Sequence, residues 1–165
     1  MFQIACFSVP PVNPREKKHF WAYLNLTAAS FKYFSPEIRT LLLTTKRAKI
    51  PKGLVVDRVQ RLPESMRLKK GLMVDEFQGW LEFVKSDLFD RPTILVDPDL
   101  VLQRDPSAVF EEDFDVGLTW RDISGFAKPK DFNEHANTQQ INAGVIFLNP
   151  KRKEAVVHFF EKCVF

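Results

Sequence analysis

Hydrophobic positions along the chain follow two spacings, and together they predict helices inserted between short buried strands. Apolar runs of about four to eight residues are typical of strands, and apolar positions three or four residues apart are typical of helices. The runs predict strands at 2–9, 40–45, 53–60, 93–97, 115–120 and 141–148. Helical spacing predicts helices from Asn13 to about Ser35, from Met73 to Leu88 and over 151–162. Strands that alternate with helices are typical of an α/β fold with a mostly parallel sheet flanked by helices.

The first two helices carry signals for their ends and their buried faces. Asn13 suits the N-cap, Pro14 the first helical position and Glu16 the capping-box partner, while Pro36 disfavours a helical residue before it. The inward face predicted for the first helix consists of Phe20, Leu24, Thr27, Ala28 and Phe31. For the second it consists of Met73, Phe77, Trp80, Leu81, Val84 and Leu88, opposite the polar residues Asp75, Gln78, Glu82 and Lys85.

Length and composition predict one compact domain. The chain has 165 residues, of which 45% are hydrophobic and 27% charged, so it can bury a core but is short for two domains. Cys6 and Cys163 have no paired spacing, and we expect both to be reduced and buried. No basic region precedes the first apolar run and no run is long enough to span a membrane, so we expect a cytoplasmic protein without a transmembrane segment.

Charge is distributed unevenly along the chain. Residues 46–70 contain nine Lys or Arg against two acids, whereas residues 75–115 contain twelve acids against three basic residues. A basic stretch can attract phosphates, nucleic acid or an anionic membrane surface, although a solvated surface is the simpler interpretation. The acidic half argues against a nucleic-acid partner.

The candidate chemistry lies where the apolar run TILV meets Asp97-Pro98-Asp99. In an extended segment, residues two apart point the same way, which would place the two carboxylates together with their Cα atoms roughly 6–7 Å apart. Pro98 favours this because it disfavours a helical conformation for Asp97. Two close like charges favour a divalent cation such as Mg²⁺ or Mn²⁺, or a raised pKa on one of them. The alternative is that both residues merely cap a turn.

The segment FDRPTILVDPDLVLQRDPSAVFEEDFDVGLTWRD, followed by INAGVIFLNP, resembles the donor-binding half of GT-A fold glycosyltransferases. Asp97 and Asp99 match the DxD motif of that family, Asp105-Pro106 match the turn after it, and Asn142-Ala143-Gly144 match an Asn-x-Gly that opens a later strand. The resemblance covers about residues 65–150 and extends more weakly to the N-terminal part. It implies a Rossmann-like GT-A fold over 1–165, with the donor-binding half at about 1–150 and a short or missing acceptor-binding portion.

The resemblance also implies an activity, which is transfer of a sugar from a nucleoside diphosphate sugar to a glycan, a lipid-linked sugar or a protein. Asp99 would coordinate Mn²⁺ or Mg²⁺ on the diphosphate, and Asp97 would share the metal or hold the ribose. Asp99 and Asn142 would be the catalytic residues, with Asn142 near the donor sugar. Gly144 would permit a close backbone approach. Further donor contacts are expected from Ser8 and from Arg121, for which an exposed salt bridge is an equal alternative.

Two features depart from the family pattern. Family members often recruit a third metal ligand, frequently a His, whereas His158 has the position of a surface residue on the last helix. The helix before the DxD carries Gln78 and Trp80 where related enzymes often place Arg or Lys. Two alternatives therefore stay open: a non-catalytic or degenerate GT-A-like nucleotide-binding domain, and a haloacid dehalogenase-like phosphatase with Asp97 as nucleophile. The polar stretch 121–140 is a candidate for a mobile loop.

Overall fold

A computed structural model shows a six-stranded sheet covered by helices on both faces. It describes residues 1–8, 14–46, 48–63, 72–121 and 140–164. The strands are β1 (Gln3–Phe7), β2 (Arg39–Thr44), β3 (Arg58–Arg61), β4 (Thr93–Val96), β5 (Val116–Arg121) and β6 (Gln140–Leu148). The helices are α1 (Pro14–Phe34), α2 (Leu72–Lys85) and α3 (Lys153–Val164), with short 3-10 turns at Ser107–Glu111 and Pro150–Arg152.

The strand order across the sheet is β3-β2-β1-β4-β6-β5. Strands β3, β2, β1 and β4 are parallel, and β6 is antiparallel to both β4 and β5. It follows that β5 runs in the same direction as β4. The carboxyl ends of five strands and the amino end of β6 therefore lie at one end of the sheet, which we call the carboxyl edge. The prediction of a mostly parallel α/β sheet flanked by helices is confirmed.

Alternation of side chains along the strands divides the core into two layers. In β1, Ala5 and Phe7 pack in an apolar cluster with α2 and α3, whereas Ile4 and Cys6 pack in a second cluster with α1. All four side chains are buried, as expected for a central strand with a helical layer on each face. In β4, Leu95 lies on the α2 and α3 side. Neighbouring residues at the end of a strand therefore face opposite helical layers.

The first predicted helix agrees closely with the structure. Helix α1 begins at Pro14 and ends at Phe34, and Leu24, Thr27, Ala28 and Phe31 of its predicted inward face are buried. The proposed cap Asn13 lies outside the described residues. Helix α2 ends at Lys85, three residues before the predicted end, where the Ser86 N–H and hydroxyl both donate to the Phe83 carbonyl in a tighter turn.

One strand boundary and one expectation about burial were wrong. The strand predicted at 53–60 begins only at Arg58, because the preceding backbone turns at Gly53 (φ 86°) and the N–H of Val55 donates to the Asn25 side chain. Cys6 is buried as expected, but Cys163 is exposed on the last turn of α3. No helix among the described residues is long and apolar enough to cross a membrane.

Candidate functional site

The topology brings most of the predicted site residues to the carboxyl edge. Ser8 follows β1, Asp97 follows β4, and Arg121 ends β5. Asn142 and Gly144 lie near the start of β6, which runs in the opposite direction and so begins at this same edge. Segments that are up to 136 residues apart in sequence, from Ser8 to Gly144, thereby lie at the same edge of the sheet.

Asp97, Asn142 and Gly144 form a close contact. The backbone N–H of Asp97 donates to the Gly144 carbonyl at 3.0 Å, and the Gly144 N–H donates to Asn142 Oδ1 at 2.9 Å. A Cβ added to Gly144 would lie 2.6 Å from Asp97 Oδ2 and 3.1 Å from Asn142 Oδ1. A larger residue at this position would therefore force the Asp97 carboxylate to move, because that carboxylate occupies the space of the missing side chain.

A bulge in β6 presents Asn142. The register of β5 with β6 pairs Leu118 with Ile146 but the next residue, Thr119, with Asn142. The Thr119 hydroxyl lies 3.1 Å from each of the carbonyls of Asn142 and Val145, and it stabilises the bulged segment. Thr119 was not predicted as a site residue, because no sequence signal distinguishes it from other strand threonines.

The DxD segment is a turn rather than an extended strand end, which corrects the sequence-based geometry. The N–H of Leu100 donates to the Asp97 carbonyl at 3.4 Å, so the chain reverses over residues 97–100. Helix α1 holds this turn: the Thr27 hydroxyl donates to the Pro98 carbonyl at 2.8 Å. The Ser30 hydroxyl accepts from the N–H of Leu102 at 3.0 Å. Asp97 is half-buried and Asp99 is exposed. Of the two carboxylates, Asp97 is partly covered because it directly follows the central strand β4, and only Asp99 is open to solvent.

The carboxylates of the site perturb one another. Burial and the negative charge of Asp99 raise the pKa of Asp97. Burial and the charge of Asp97 raise the pKa of Glu76, on the first turns of α2, to about 8. Burial, followed by the charges of Glu76, Asp97 and Asp99, raises the pKa of the Cys6 thiol well above its usual range. Carboxyl groups therefore concentrate at this point of the carboxyl edge, and the raised pKa of Glu76 means that it holds its proton at neutral pH.

Glu76 is the main residue that the sequence analysis missed. It is half-buried and lies four residues, or about one helical turn, before the fully buried Trp80. That spacing was a usable signal, because it places a carboxylate on the inward side of α2. Trp80 lies on the predicted inward face of α2, where its ring packs against Phe77 and Phe160.

Ser8 carries a polar atom with no partner. Its side chain is buried, and its hydroxyl oxygen has no hydrogen-bond partner among the described residues. Its backbone is held in place, since its N–H donates to the Leu43 carbonyl and its carbonyl accepts from the Thr44 hydroxyl. A buried hydroxyl without a partner costs free energy, which is typical of a group that meets a ligand.

Three other predicted residues have different outcomes. Arg121 pairs with Gln140 at the end of β5, but its side chain and residues 122–139 of the polar stretch lie outside the described part of the chain. His158 is exposed on α3, as expected for a surface residue. The Asp105 carboxylate accepts from the N–H of Ser107 and opens the 3-10 turn that follows the DxD segment.

The residues at this edge suit a small divalent cation held partly by protein and partly by ligand. In the described ranges, no group of three or more His, Cys, Asp or Glu side chains could hold a metal ion, which excludes a closed all-protein cage there. Mg²⁺ is commonly bound through one or two carboxylates with phosphate oxygens and water in the remaining positions. Asp97 and Asp99 fit that description, since they repel each other and neither forms an ion pair with a described Lys or Arg.

A shallow cavity of about 450 Å³ lies at the opposite end of the sheet. Arg152 in its wall forms exposed ion pairs with Asp113 and Asp115, so the charges there largely neutralise one another. The cavity lining consists of Phe110, Glu111, Glu112, Asp113, Asn149, Lys151 and Arg152. We assign this cavity no role, because none of its lining residues is buried, in contrast to Ser8 at the carboxyl edge.

Comparison with solved structures identifies glycosyltransferases as similar in fold. The galactosyltransferase LgtC, solved with donor and acceptor sugar analogues, superposes with a TM-score of 0.59 at 14% identity over 97% of this chain. Mouse xyloside xylosyltransferase 1 in its apo form gives 0.57 at 10% identity, covering 99% of this chain and 71% of that one. The glycosyltransferase GlyE of Streptococcus pneumoniae TIGR4 gives 0.56 at 17% identity, covering 98% of this chain and 38% of that one.

These comparisons confirm the predicted GT-A fold class. The chain spans 65% of the length of LgtC. No protein-family model matches the sequence, and no curated protein is similar to it. At these low identities the likeness establishes the fold, and the chemistry has to be argued from the site itself.

Proposed function

We propose that this chain binds a nucleoside diphosphate sugar at the carboxyl edge and transfers the sugar to an acceptor, with Mn²⁺ or Mg²⁺ held by Asp97 and Asp99. The observation that carries the proposal is the Asp97 carboxylate seated 2.6 Å from the position of a Gly144 Cβ, with Asn142 beside it. In open α/β sheets, ligands bind beyond the carboxyl ends of the strands. The glycosyltransferase fold of the sheet supports the choice of substrate.

Each residue has a distinct task in this proposal. The backbone N–H of Asp97 donates to the Gly144 carbonyl, and the side chain of Asp97 is half-buried. Asp97 would therefore provide a rigid anionic group. Asp99, exposed on the turn, is placed to face a ligand that enters from solvent. When bound, the metal ion would neutralise the charge that develops on the leaving diphosphate.

Asn142 has one end of its amide occupied. Its Oδ1 accepts from the Gly144 N–H, which leaves the Nδ2 group of this exposed residue as a donor. We propose that Nδ2 donates to a hydroxyl or phosphate oxygen of the donor. Ser8 would use its unpartnered buried hydroxyl on the nucleotide, and Arg121 would contact donor phosphate.

Nucleotide titration with and without metal tests the proposal. We expect UDP or GDP to bind in calorimetry at least about tenfold more tightly with Mn²⁺ than without it, because the metal joins two like-charged partners. Asp99→Asn should abolish the metal-dependent part of the affinity while keeping side-chain size. Asp113→Asn is the matched control, since Asp113 is an exposed carboxylate at the opposite end of the sheet. Metal-independent affinity in the unaltered chain, or an unchanged metal effect in Asp99→Asn, would refute the donor site.

Product analysis separates catalysis from binding alone. Release of free nucleotide from a sugar donor in the presence of acceptors indicates transfer, whereas tight metal-dependent binding without turnover indicates the non-catalytic alternative. A phosphatase of the haloacid dehalogenase type would cleave a generic phosphate ester with Mg²⁺. The geometry offers that alternative little support, because Asp97 follows the fourth strand and its carboxylate is seated against Gly144.

A further inference from the structure

The described part of the outer face of α1, residues 19–34, exposes no Lys, Arg, Asp or Glu. A helix that covers a sheet normally presents charged and polar residues to solvent. In this range, however, the exposed positions are His19, Ala22, Tyr23, Leu26, Ala29, Tyr33 and Phe34. The spacing of these residues places most of them along one stripe of the helix.

Several of these side chains are large, apolar or aromatic, and mostly exposed to solvent. Tyr33 is 81% exposed, and Tyr23 and Leu26 are each 52% exposed. Val55, which is 42% exposed, extends the same apolar surface, because its N–H donates to the Asn25 side chain of α1 at 2.8 Å. Contiguous exposed apolar surface of this kind is typical of an interaction site.

Positive charge borders the apolar stripe. The segment 48–57 lies against α1, since Ile50 and Leu54 pack in the same apolar cluster as that helix. Lys49 and Lys52 of this segment are exposed, and neither forms an ion pair with a described residue. The acid of the segment, Asp57, is already occupied by the Lys32 ammonium at 3.0 Å and by Thr40. The surface therefore combines aromatic and aliphatic side chains with uncompensated cations.

We infer that this surface binds the face of an anionic lipid bilayer. We call it the α1 face and define it by Tyr23, Leu26, Tyr33, Val55, Lys49 and Lys52. Tyrosine and aliphatic side chains partition into the interfacial region of a bilayer, while lysines at the same level are attracted to anionic head groups. Lys49 and Lys52, which belong to the basic stretch that begins at residue 46, would contact the anionic head groups. The proposed sugar transfer does not depend on this surface.

Two other occupants fit the observations less well. A second copy of the chain would bring two cationic rims together across a symmetric interface, and like charges there oppose association. A nucleic acid would need cations along the length of the groove or helix that it follows, whereas the exposed positions of α1 between residues 19 and 34 include no Lys or Arg. An anionic bilayer satisfies both parts of the surface at once.

Vesicle co-sedimentation of the full chain tests the inference. We expect binding to equimolar phosphatidylcholine–phosphatidylglycerol vesicles that weakens with salt, and little binding to phosphatidylcholine alone. The double variant Lys49→Gln/Lys52→Gln should bind anionic vesicles about 25-fold more weakly, at about fivefold for each lysine near the surface. Leu26→Ser/Tyr33→Ser should lower binding by about tenfold through loss of inserted apolar area.

The matched control is Lys151→Gln/Lys162→Gln, which removes the same charge from exposed positions in or next to α3 on the other face of the sheet. It should keep normal vesicle binding. An equal loss in this control would overturn the inference, as would equal binding to neutral and anionic vesicles. Displacement by inorganic phosphate at constant ionic strength would point to a phosphate site instead. A dimer in light scattering that Leu26→Ser/Tyr33→Ser dissociates, without vesicle binding, would identify a second copy as the occupant. Circular dichroism of every variant checks that the fold is retained.

Discussion

Replacing Glu76 by Gln should stabilise the protein at neutral and alkaline pH. Burial and the charge of Asp97 raise the pKa of Glu76 from 4.5 to about 8, so the folded state holds this carboxyl in its neutral form up to about pH 8. Glutamine has nearly the same shape and is always neutral. The substitution therefore removes the cost of a carboxyl that prefers to ionise in the unfolded chain.

The sign and size of the effect follow from proton linkage. Below pH 4.5 Glu76 is protonated in both states, and the substitution should change stability little. As pH rises toward 8, the unfolded chain loses this proton while the folded protein retains it, so the stability of the unaltered protein falls. At about 1.4 kcal/mol for each pKa unit, the upper bound is about 5 kcal/mol. Because the side chain is only half-buried and shares its titration with Asp97, we expect about 2–4 kcal/mol.

Urea denaturation from pH 4.5 to 8.5 measures the effect, with a chelator present so that metal binding to Asp97 and Asp99 does not contribute. The stability advantage of Glu76→Gln should grow with pH and level off above about pH 8. Glu161→Gln is the control, since its exposed carboxylate is hydrogen-bonded to Lys85 and its pKa is lowered, which gives a small effect of opposite sign. Parallel stability curves for Glu76→Gln and the unaltered protein would show that Glu76 is not held neutral beside Asp97.

Three further substitutions test the geometry of the site and of the core beneath it. Gly144→Ala should weaken metal-dependent nucleotide binding by about 10–100-fold in calorimetry, because its Cβ would displace the Asp97 carboxylate. Gly117→Ala, in β5, is the control and should bind nucleotide normally. Gly79→Ala should cost about 1–3 kcal/mol in urea denaturation, because its Cβ would lie 2.5 Å from the Phe7 ring, and an unchanged midpoint would contradict that packing. Ser8→Ala should leave stability unchanged or raise it by up to about 1 kcal/mol, because the lost hydroxyl has no partner, while nucleotide affinity falls; unaltered affinity would remove Ser8 from the proposed site.

Much of the fold could be predicted from local patterns. The buried strands β1, β2 and β4 are short apolar runs, and Pro14 and Pro36 bracket α1, so periodicity and backbone restriction were sufficient there. The strand at 53–60 was mispredicted because its apolar residues serve a different purpose. Leu54 and Val56 pack in the same apolar cluster as α1, while the backbone N–H of Val55 between them donates to the Asn25 side chain. Hydrophobic spacing does not distinguish such a segment from a strand.

The candidate site was predictable in its residues and only partly in its geometry. Asp97, Asn142 and Gly144 were identified from motif order, and the structure places them in contact. The spacing of Glu76 from Trp80 indicated an inward carboxylate, but its nearness to Asp97 depends on where α2 lies over β4, a relation between segments about 20 residues apart. Thr119 was missed because the bulge that it stabilises exists only once β5 and β6 pair.

The sequence by itself determined the alternation of helices with strands, the buried faces, and the residue types that end the central strand. These features depend on interactions between near neighbours, which apolar spacing and proline positions record directly. Only the tertiary structure decided that the DxD segment is a turn held by Thr27 and Ser30 of α1, and that a carboxylate fills the space beside Gly144. It also decided that the outer face of α1 stays uncovered in the described chain while Lys49 and Lys52 lie beside it. Such contacts join segments distant in sequence, and their geometry is set by how the sheet and helices pack against one another, for which no single stretch of residues carries the signal.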